Sequence, residues 1–222
     1  MTTHIVIPVR DQRPITQSII EQIHQQSGWD KLWIFDNGSE DSTWDYLMDV
    51  NASDPRICPI NASGAGIYDM WDEGFRVARH DGADYVAIFN NDLTLFPNTF
   101  KILNQTLDNY STAWIVYPDY NASVPGENSV RVTSGTYRHG GMSGFCFMLR
   151  ASSIDWSPLV DPRFIWWGGD DDIAFEVESR GGVQLRVMGL PVEHLHEGTA
   201  RHHDLGNQKG LDMQAIFNKW GR

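Results

Sequence analysis

Short apolar runs alternate with longer amphipathic segments throughout the first 90 residues of the chain, and this alternation constrains the fold more than any other feature. The apolar runs are rich in β-branched and aromatic side chains, and they predict strands over residues 4–9, 31–35, 56–60 and 85–89. The segments between them carry apolar residues at helical spacing and predict helices over residues 14–26, 42–48 and 68–80. Strands that alternate with helices predict an α/β fold with a mainly parallel central sheet flanked by helices.

Each of these four predicted strands ends in polar residues. The endpoints are Arg10-Asp11, Asp36-Asn37, residues 61–64 and residues 90–92. Ligands bind at the carboxyl ends of the strands in open α/β sheets, so the endpoints mark the expected binding edge. Asp92 follows Asn90 and Asn91, and a carboxylate beside amide oxygens suits a hard divalent cation that bridges phosphate oxygens. Plain turn chemistry is the alternative explanation of an Asn-Asn-Asp sequence.

Three consecutive carboxylates, Asp170, Asp171 and Asp172, stand at the start of a predicted helix that Gly181 and Gly182 close. Carboxylates at a helix start gain from the macrodipole and cap free amides, which is a structural explanation for the triplet. Their mutual repulsion also raises at least one pKa and can leave a base that works near neutral pH. Two tryptophans just before the triplet suit the approach of an acceptor sugar or a similar ligand.

Two histidines, His194 and His196, occupy alternate positions after the last predicted strand. In an extended segment both side chains face the same way, so either could join Asp92 at a cation, or both could chelate zinc. Ordinary solvent-facing polarity is the alternative for such a pair.

Beyond residue 110 the helical and strand periodicity weakens. Residues 120–138, rich in Ser, Asn, Gly and Pro, predict an irregular surface segment, whereas residues 145–149 and 183–188 predict strands. No linker divides the chain, so we expect a single domain over residues 1–222.

The composition limits the class of protein. With 17 basic and 29 acidic residues the net charge is −12, which argues against a nucleic-acid partner. No apolar run is long enough for a membrane span and no leader precedes the first strand, so we expect a soluble, cytoplasmic protein. Cys58 and Cys146 lie in apolar surroundings, which favours buried thiols over a disulfide.

Seven segments, in their order and spacing, resemble the family 2 glycosyltransferases with the GT-A fold, and in particular a rhamnosyltransferase-like branch whose acidic metal motif is Asn-Asn-Asp. The segments are residues 5–9, 36–43, 64–74, 89–92, 144–150, 170–181 and 194–199. The resemblance spans residues 4–200 and implies the transfer of a sugar, with inversion, from a nucleotide-sugar donor to an acceptor hydroxyl. The chain departs from the family pattern at three places. Gly169 stands where a carboxylate usually precedes the base, Trp71 and Asp72 stand where the family usually has Arg-Asn, and Glu176 stands where it commonly has a basic residue.

The resemblance also implies roles for individual residues on the donor side. The nucleotide-sugar would be bound by Pro8, Val9, Arg10, Asp36, Trp71, Asp72, Asn91 and Asp92. Asp92 would ligate Mn²⁺ or Mg²⁺ on the diphosphate of a UDP- or dTDP-sugar. His196, in preference to His194, would complete the metal site.

On the acceptor side, the resemblance implies that Asp170 removes the proton of the acceptor hydroxyl, with Asp171 and Asp172 as substitutes for this base. The acceptor would be contacted by Trp166, Trp167 and Asp172. We expect a carbohydrate acceptor, while a small molecule, a protein side chain and modified DNA stay open.

These implied roles divide the single domain. Residues 1–110 would form the nucleotide-sugar half, residues 111–205 the acceptor-binding and catalytic half, and residues 206–222 a C-terminal tail. Two alternatives to a glycosyltransferase remain at this point. They are a nucleotidyltransferase and a catalytically silent module that binds a nucleotide or a sugar.

Overall fold

The computed structural model describes residues 1–119, 130–133, 142–195 and 206–221. The strands in these ranges are β1 (Thr3–Val9), β2 (Lys31–Asp36), β3 (Ile57–Asn61), β4 (Tyr85–Phe89), β5 (Leu93–Leu95), β6 (Ala113–Pro118), β7 (Val130–Thr133), β8 (Cys146–Arg150), β9 (Val183–Val187) and β10 (Val192–His194). The helices are α1 (Arg13–His24), α2 (Thr43–Ser53), α3 (Ile67–His80), α4 (Thr99–Asn109), α5 (Gly169–Ser179) and α6 (Gln208–Trp220).

Eight of the described strands form one mixed sheet in the order β3-β2-β1-β4-β8-β6-β9-β7. The first four run parallel, β8 runs antiparallel to β4 and β6, and β9 runs parallel to β6. Strand β7 is antiparallel to β9. Six of these eight strands therefore share one direction, and β7 and β8 run opposite to it. A single α/β domain with a mainly parallel sheet therefore confirms the fold class predicted from the sequence.

The two faces of the sheet carry separate apolar layers. Along β1, Ile5 and Ile7 pack into the layer that includes residues of α1 and α4, whereas Val6 packs into the layer of α3 and α5. This alternation follows from the two-residue period of a strand. A Cβ on Gly74 of α3 would lie 2.3 Å from Cγ1 of Val6, so the glycine lets α3 approach the sheet closely. The sheet and α3 thus form a tightly packed base for the loops at its carboxyl edge.

Several elements in the second half differ from the sequence expectation. The segment expected as a C-terminal tail, residues 206–222, contains α6, and its Met213 and Trp220 pack against the core. The helix α4 and the strand β6 also form where no element was predicted. The expected irregular segment over residues 120–138 lies outside the described residues, apart from β7.

Two expectations from composition can be compared with the structure. Both cysteines are free thiols: Cys146 is buried and Cys58 is partly buried. This confirms the prediction that they form no disulfide. None of the helices in the described ranges combines the length and apolar content needed to cross a bilayer.

Candidate active site

A short antiparallel ladder brings Asp92 and His194 together across 102 positions of sequence. Strand β5 begins directly after Asp92, and β10 pairs with it so that His194 lies opposite Leu93. The backbone N–H of Leu195 donates to the carbonyl oxygen of Asp92 at 2.9 Å. These contacts place Nε2 of His194 3.1 Å from Oδ1 of Asp92, whose side chain is 1% exposed. A buried carboxylate and an imidazole therefore meet at the carboxyl edge of β4.

The segment before β8 connects this pair to the acidic triplet. The Phe145 ring stacks on His194 with the ring centroids 4.5 Å apart, and the Phe145 carbonyl oxygen accepts the N–H of Asn90 at 2.9 Å. The neighbouring residue, Gly144, donates its N–H to Oδ2 of Asp170 at 2.9 Å. Consecutive Cα atoms are only about 3.8 Å apart. Two adjacent residues thus contact the Asp92–His194 pair on one side and Asp170 on the other.

All three acidic residues lie in the first turn of α5. Burial, together with the negative charges of Asp170 and Asp172, raises the pKa of Asp171 to about 8. Burial also raises the pKa of Asp170, against the opposing effect of the N–H that Gly144 donates. Two neighbouring carboxyls with raised pKa values titrate as a pair. Such a pair can hold one proton and one negative charge near neutral pH.

Asp172 has a different environment and is 1% exposed. Its Oδ1 accepts Nε1–H of Trp220 at 2.8 Å and lies 2.7 Å from Nζ of Lys219, while its Oδ2 accepts the N–H of Asp161 at 2.9 Å. A buried carboxylate with three partners has no face left for a ligand. We therefore do not retain Asp172 as an acceptor contact or as a substitute base.

The two tryptophans before the triplet belong to a loop that α6 holds from behind. The N–H groups of Trp166 and Trp167 each donate to Oδ2 of Asp212 at 3.0 Å, and that of Ile165 donates to Oδ1 at 3.2 Å. Asp212 is fully buried. Both tryptophan side chains remain partly exposed, as an acceptor contact requires. Asp212 was not predicted from the sequence, although Met213, Ile216 and Trp220 recur at helical spacing and indicate a helix there.

Replacing Asp212 by Ala should lower the free energy of unfolding by about 3 kcal/mol, because three backbone N–H groups would lose their shared acceptor. Chemical denaturation measures this difference. Gln214→Ala, which removes only an exposed hydrogen bond on the same helix, is the control and should change stability by about 0.5 kcal/mol or less. Equal stability of the Asp212 variant and the native protein would contradict the role given to α6.

On the donor side, the loops after β1, β2 and β3 are tied to one another. Asn37 accepts the N–H of Gly64 at 2.8 Å and donates to the carbonyl oxygen of Ala65 at 3.0 Å. Asp11 donates its N–H to Oγ of Ser39 at 2.7 Å. Asp11 and Gln12 also have left-handed backbone angles, with φ of 55° and 58°, which non-glycine residues rarely adopt. Consecutive strained residues of this kind cluster at functional sites.

The residues expected to bind the base lie at this edge. Pro8 and Val9 are buried at the end of β1, and Arg10 is partly exposed beside Asp11. Asp36 is 2% exposed, and its Oδ1 accepts the N–H of Ser39 at 2.7 Å. Its buried Oδ2 has no hydrogen-bond partner among the described residues. A buried acceptor oxygen of this kind suits a donor group of a bound ligand.

A family model described as "Glycosyl transferase family 2" matches residues 4–155, which is more than half of the chain. The chain belongs to glycosyl transferase family 2. No curated protein sequence matches it significantly.

Two solved structures show the same fold as this family 2 chain. The structure of GalNAc-T7 with UDP, GalNAc and Mn²⁺ superposes with a TM-score of 0.70 at 13% identity, over 87% of this chain and 44% of that protein. The mannosyltransferase PcManGT from Pyrobaculum calidifontis, in complex with GDP-Man and Mn²⁺, gives a TM-score of 0.67 at 13% identity, over 90% of this chain and 58% of that protein. These similarities establish the GT-A fold expected from the sequence.

Gly169 departs from the family pattern for a steric reason. The hydroxyl oxygen of Tyr68 on α3 accepts the N–H of Gly169 at 3.1 Å. A Cβ on Gly169 would lie 2.2 Å from the Tyr68 ring. The tyrosine therefore occupies the space that a side chain at position 169 would need, which excludes a carboxylate there.

Trp71 and Asp72, which the resemblance places at the nucleotide, contact residues outside the loops after β1 and β2. Trp71 is 4% exposed and packs edge-on against Tyr68 and Phe147, with ring centroids 5.1 Å and 5.4 Å away. Asp72 accepts the N–H of Leu159 at 2.6 Å, on the side of α3 that faces residues 156–165. These contacts do not involve the loops after β1 and β2, and nucleotide binding by Trp71 and Asp72 stays a prediction.

The metal ligands implied by the resemblance are represented in part. Asp92 and His194 supply a carboxylate and an imidazole, and both are ligand types that Mn²⁺ accepts. Among the described residues, no group of three or more Asp, Glu, His or Cys side chains is arranged so that it could hold a metal ion. His196 lies outside the described residues. Asn91, next to Asp92, donates from Nδ2 to Oγ1 of Thr16 at 3.2 Å, which fixes the turn that presents Asp92.

Proposed function

We propose that this chain is a metal-dependent, inverting glycosyltransferase that moves a sugar from a nucleoside-diphosphate sugar to an acceptor hydroxyl. Two contacts made by adjacent residues carry the proposal. Gly144 donates its N–H to Asp170, and the ring of Phe145 stacks on His194, the partner of Asp92. This connection supports our proposal that Asp92, as a cation-binding carboxylate, and Asp170, as a base, serve the same pocket. Family membership and the shared GT-A fold are consistent with this chemistry.

In this mechanism Asp170 is the base. The N–H of Gly144 stabilises negative charge on Asp170, so the proton shared by the two neighbouring carboxyls lies on Asp171. The ionised Asp170 takes the proton of the acceptor hydroxyl as its oxygen attacks the anomeric carbon from the face opposite the leaving group. The sugar–phosphate bond breaks, and the configuration at the anomeric carbon inverts.

Asp92 and His194 hold the donor end of the pocket. A divalent cation bound there would neutralise the charge that grows on the departing nucleoside diphosphate. Asp36, with its buried Oδ2, would accept from the base or ribose, and the buried edge of Pro8 and Val9 would line the base. We propose Mn²⁺ or Mg²⁺ as the cation and a UDP- or dTDP-sugar as the donor.

The finer assignment to a rhamnosyltransferase-like branch rests on Asn90, Asn91 and Asp92, the Asn-Asn-Asp form of the metal motif. The division into a nucleotide-sugar half (residues 1–110) and an acceptor half (residues 111–205) is also part of the proposal. The position of α6 extends the acceptor half, because its Asp212 holds the backbone of the tryptophan loop.

Incubation of the protein with a panel of nucleotide sugars and Mn²⁺, followed by mass spectrometry, tests the proposal. Loss of a donor with release of a nucleoside diphosphate supports a glycosyltransferase. Release of pyrophosphate would instead indicate a nucleotidyltransferase. Donor binding without any product would indicate a silent binding module.

The raised pKa of Asp171 predicts how stability depends on pH. The folded protein keeps a proton on this carboxyl up to a pKa of about 8, whereas the unfolded chain loses it near 3.8. The folded state is therefore destabilised progressively as pH rises between these two values. Asp171→Asn removes this penalty, so its melting temperature should exceed that of the native protein by more at pH 9 than at pH 4, by a few degrees.

Differential scanning fluorimetry across this pH range measures the effect. The control is Asp49→Asn, which neutralises an exposed carboxylate on α2. A stability difference for Asp171→Asn that does not grow with pH would show that this carboxyl is already ionised in the folded state.

A further inference from the structure

A groove runs along the outer face of α3, between this helix and the segment of residues 156–165. It consists of a cavity of about 150 Å³ lined by Tyr68 and Phe164, and a cavity of about 410 Å³ lined by Arg79 and Trp156. Asp72 lines both cavities, so they adjoin. The two cavities together extend from the start of α3 to its last turn and meet at Asp72, where the Leu159 N–H joins the two walls.

The helix wall of the groove is polar. Asp69, Asp72, Arg76 and Arg79 recur at intervals of three and four residues, which places them on one face of α3. Two carboxylates and two guanidinium groups line this face, and Arg76 is also ion-paired with Glu73, so the face carries no excess positive charge. Nη1 of Arg79 donates to the carbonyl oxygen of Ile154 at 2.7 Å, so the guanidinium is held at the rim.

The opposite wall is apolar and is tied to the helix. It is formed by Trp156, Pro158, Val160 and Phe164, among others. Nε1 of Trp156 donates to the carbonyl oxygen of Leu159 at 3.2 Å, and the N–H of Leu159 donates to Asp72 at 2.6 Å. These two bonds fix the indole ring relative to α3.

A groove with one polar and one aromatic wall fits a saccharide. The C–H face of a sugar ring packs on aromatic side chains, while its hydroxyls bond to carboxylate and guanidinium groups at the other wall. Without excess positive charge, the helix wall does not attract a polyanion such as nucleic acid. A peptide in extended form would need an exposed strand edge to pair with, and both walls here lack one in the described residues.

Tyr68 is shared by the groove and the proposed catalytic site. This side chain lines the smaller cavity, and its hydroxyl oxygen accepts the N–H of Gly169, the residue before Asp170. From Tyr68 to His80, which lines the far cavity, the helix advances about 18 Å. This length accommodates several sugar rings in a row.

We propose that the acceptor is an oligosaccharide whose distal sugars lie in this groove, while its terminal hydroxyl reaches Asp170. The inference rests on the proposed glycosyltransferase function and names the acceptor class. A monosaccharide would reach the base without contacting Arg79 or Trp156. An acceptor of three or more sugars would gain both contacts.

Steady-state transfer to glucose, rhamnose and N-acetylglucosamine oligomers, from mono- to hexasaccharide, tests the inference. We expect KM to fall with acceptor length in the native protein. Arg79→Gln should raise KM for the longer acceptors about tenfold, as expected for one lost hydrogen bond to a charged group. Trp156→Phe should also raise it, because the smaller ring offers less stacking area and lacks the N–H that fixes the indole on Leu159. Both variants should leave the monosaccharide unaffected. The control is Arg56→Gln, which removes an exposed arginine that stacks on Trp29 just before β3.

A KM that does not depend on acceptor length would contradict the proposal that distal sugars bind in the groove. Variants that affect all acceptor lengths equally would contradict it too. Donor hydrolysis without an acceptor reports the proposed function separately, and the groove variants should leave it unchanged. If the native protein hydrolyses no donor, an array of the same immobilised oligomers decides the matter. Binding that Arg79→Gln weakens supports the groove without the proposed function, and absence of binding to every oligomer overturns it.

Discussion

Asp170→Asn should reduce the rate of sugar transfer by about 10²- to 10⁴-fold, the contribution typical of a general base. The amide of Asn is isosteric and keeps an oxygen for the N–H of Gly144, so α5 and the segment before β8 should stay in place. Donor binding depends on the other end of the pocket and should be unchanged when measured by calorimetry. The loss would therefore lie in kcat, with little change in the KM for the donor.

Asp171→Asn is the matched control for this experiment. It lies in the same helical turn and, in our assignment, already carries the shared proton in the native protein. An amide imitates a protonated carboxyl, so this variant should keep most of the transfer activity. If Asp171→Asn is inactive and Asp170→Asn is active, the base is Asp171.

Asp92→Asn should abolish the stimulation of activity by Mn²⁺ and lower the rate of donor turnover by about 10³-fold. A carboxylate ligand supplies several kcal/mol of charge stabilisation through a bound cation, and each 1.36 kcal/mol corresponds to a factor of ten. The Asn side chain still offers an oxygen to Nε2 of His194, so the ladder of β5 and β10 should survive. Manganese titration followed by electron paramagnetic resonance measures the affinity directly.

Two further variants separate the histidines. His194→Gln should weaken Mn²⁺ binding because His194 contacts Asp92, whereas His196→Gln tests the ligand that the sequence favoured. Circular dichroism verifies that each variant is folded. Unchanged manganese affinity and turnover in Asp92→Asn would remove Asp92 from the metal site.

The strands of the first half were predictable because their signal is local. Strands β1 and β4 are buried along their whole length, so they consist of near-continuous apolar runs that can be recognised without knowledge of their neighbours. Their polar ends follow one another at the same edge because the strands are parallel. The position of Asp36 and Asp92 at this edge therefore followed from sequence alone.

The partner of Asp92 was not predictable in the same way. His194 and His196 have the same parity along an extended segment, so periodicity does not distinguish them. The choice depends on the register of β5 against β10, which pairs three residues in each strand and has no local sequence signal. A longer ladder would have carried a pattern to recognise.

The helices at the acceptor side show a second limit. Trp71 precedes Gly74, Phe75 and Ala78 at helical spacing, so its burial follows from the phase of α3 and could have been predicted. The contact of Asp212 with Trp166 and Trp167 joins residues more than 40 positions apart through buried hydrogen bonds, for which the sequence has no periodic signal.

The bonds from Asp212 reach main-chain atoms, and this has a consequence for the evolution of specificity. Since the carboxylate recognises N–H groups that every residue except proline possesses, the tryptophans can be exchanged for other amino acids without altering the loop's conformation. Libraries that randomise positions 165–167 and exclude proline should therefore sample new acceptors on a constant scaffold. Substitution of Asp212 itself would instead remove the hydrogen bonds that hold the loop's conformation.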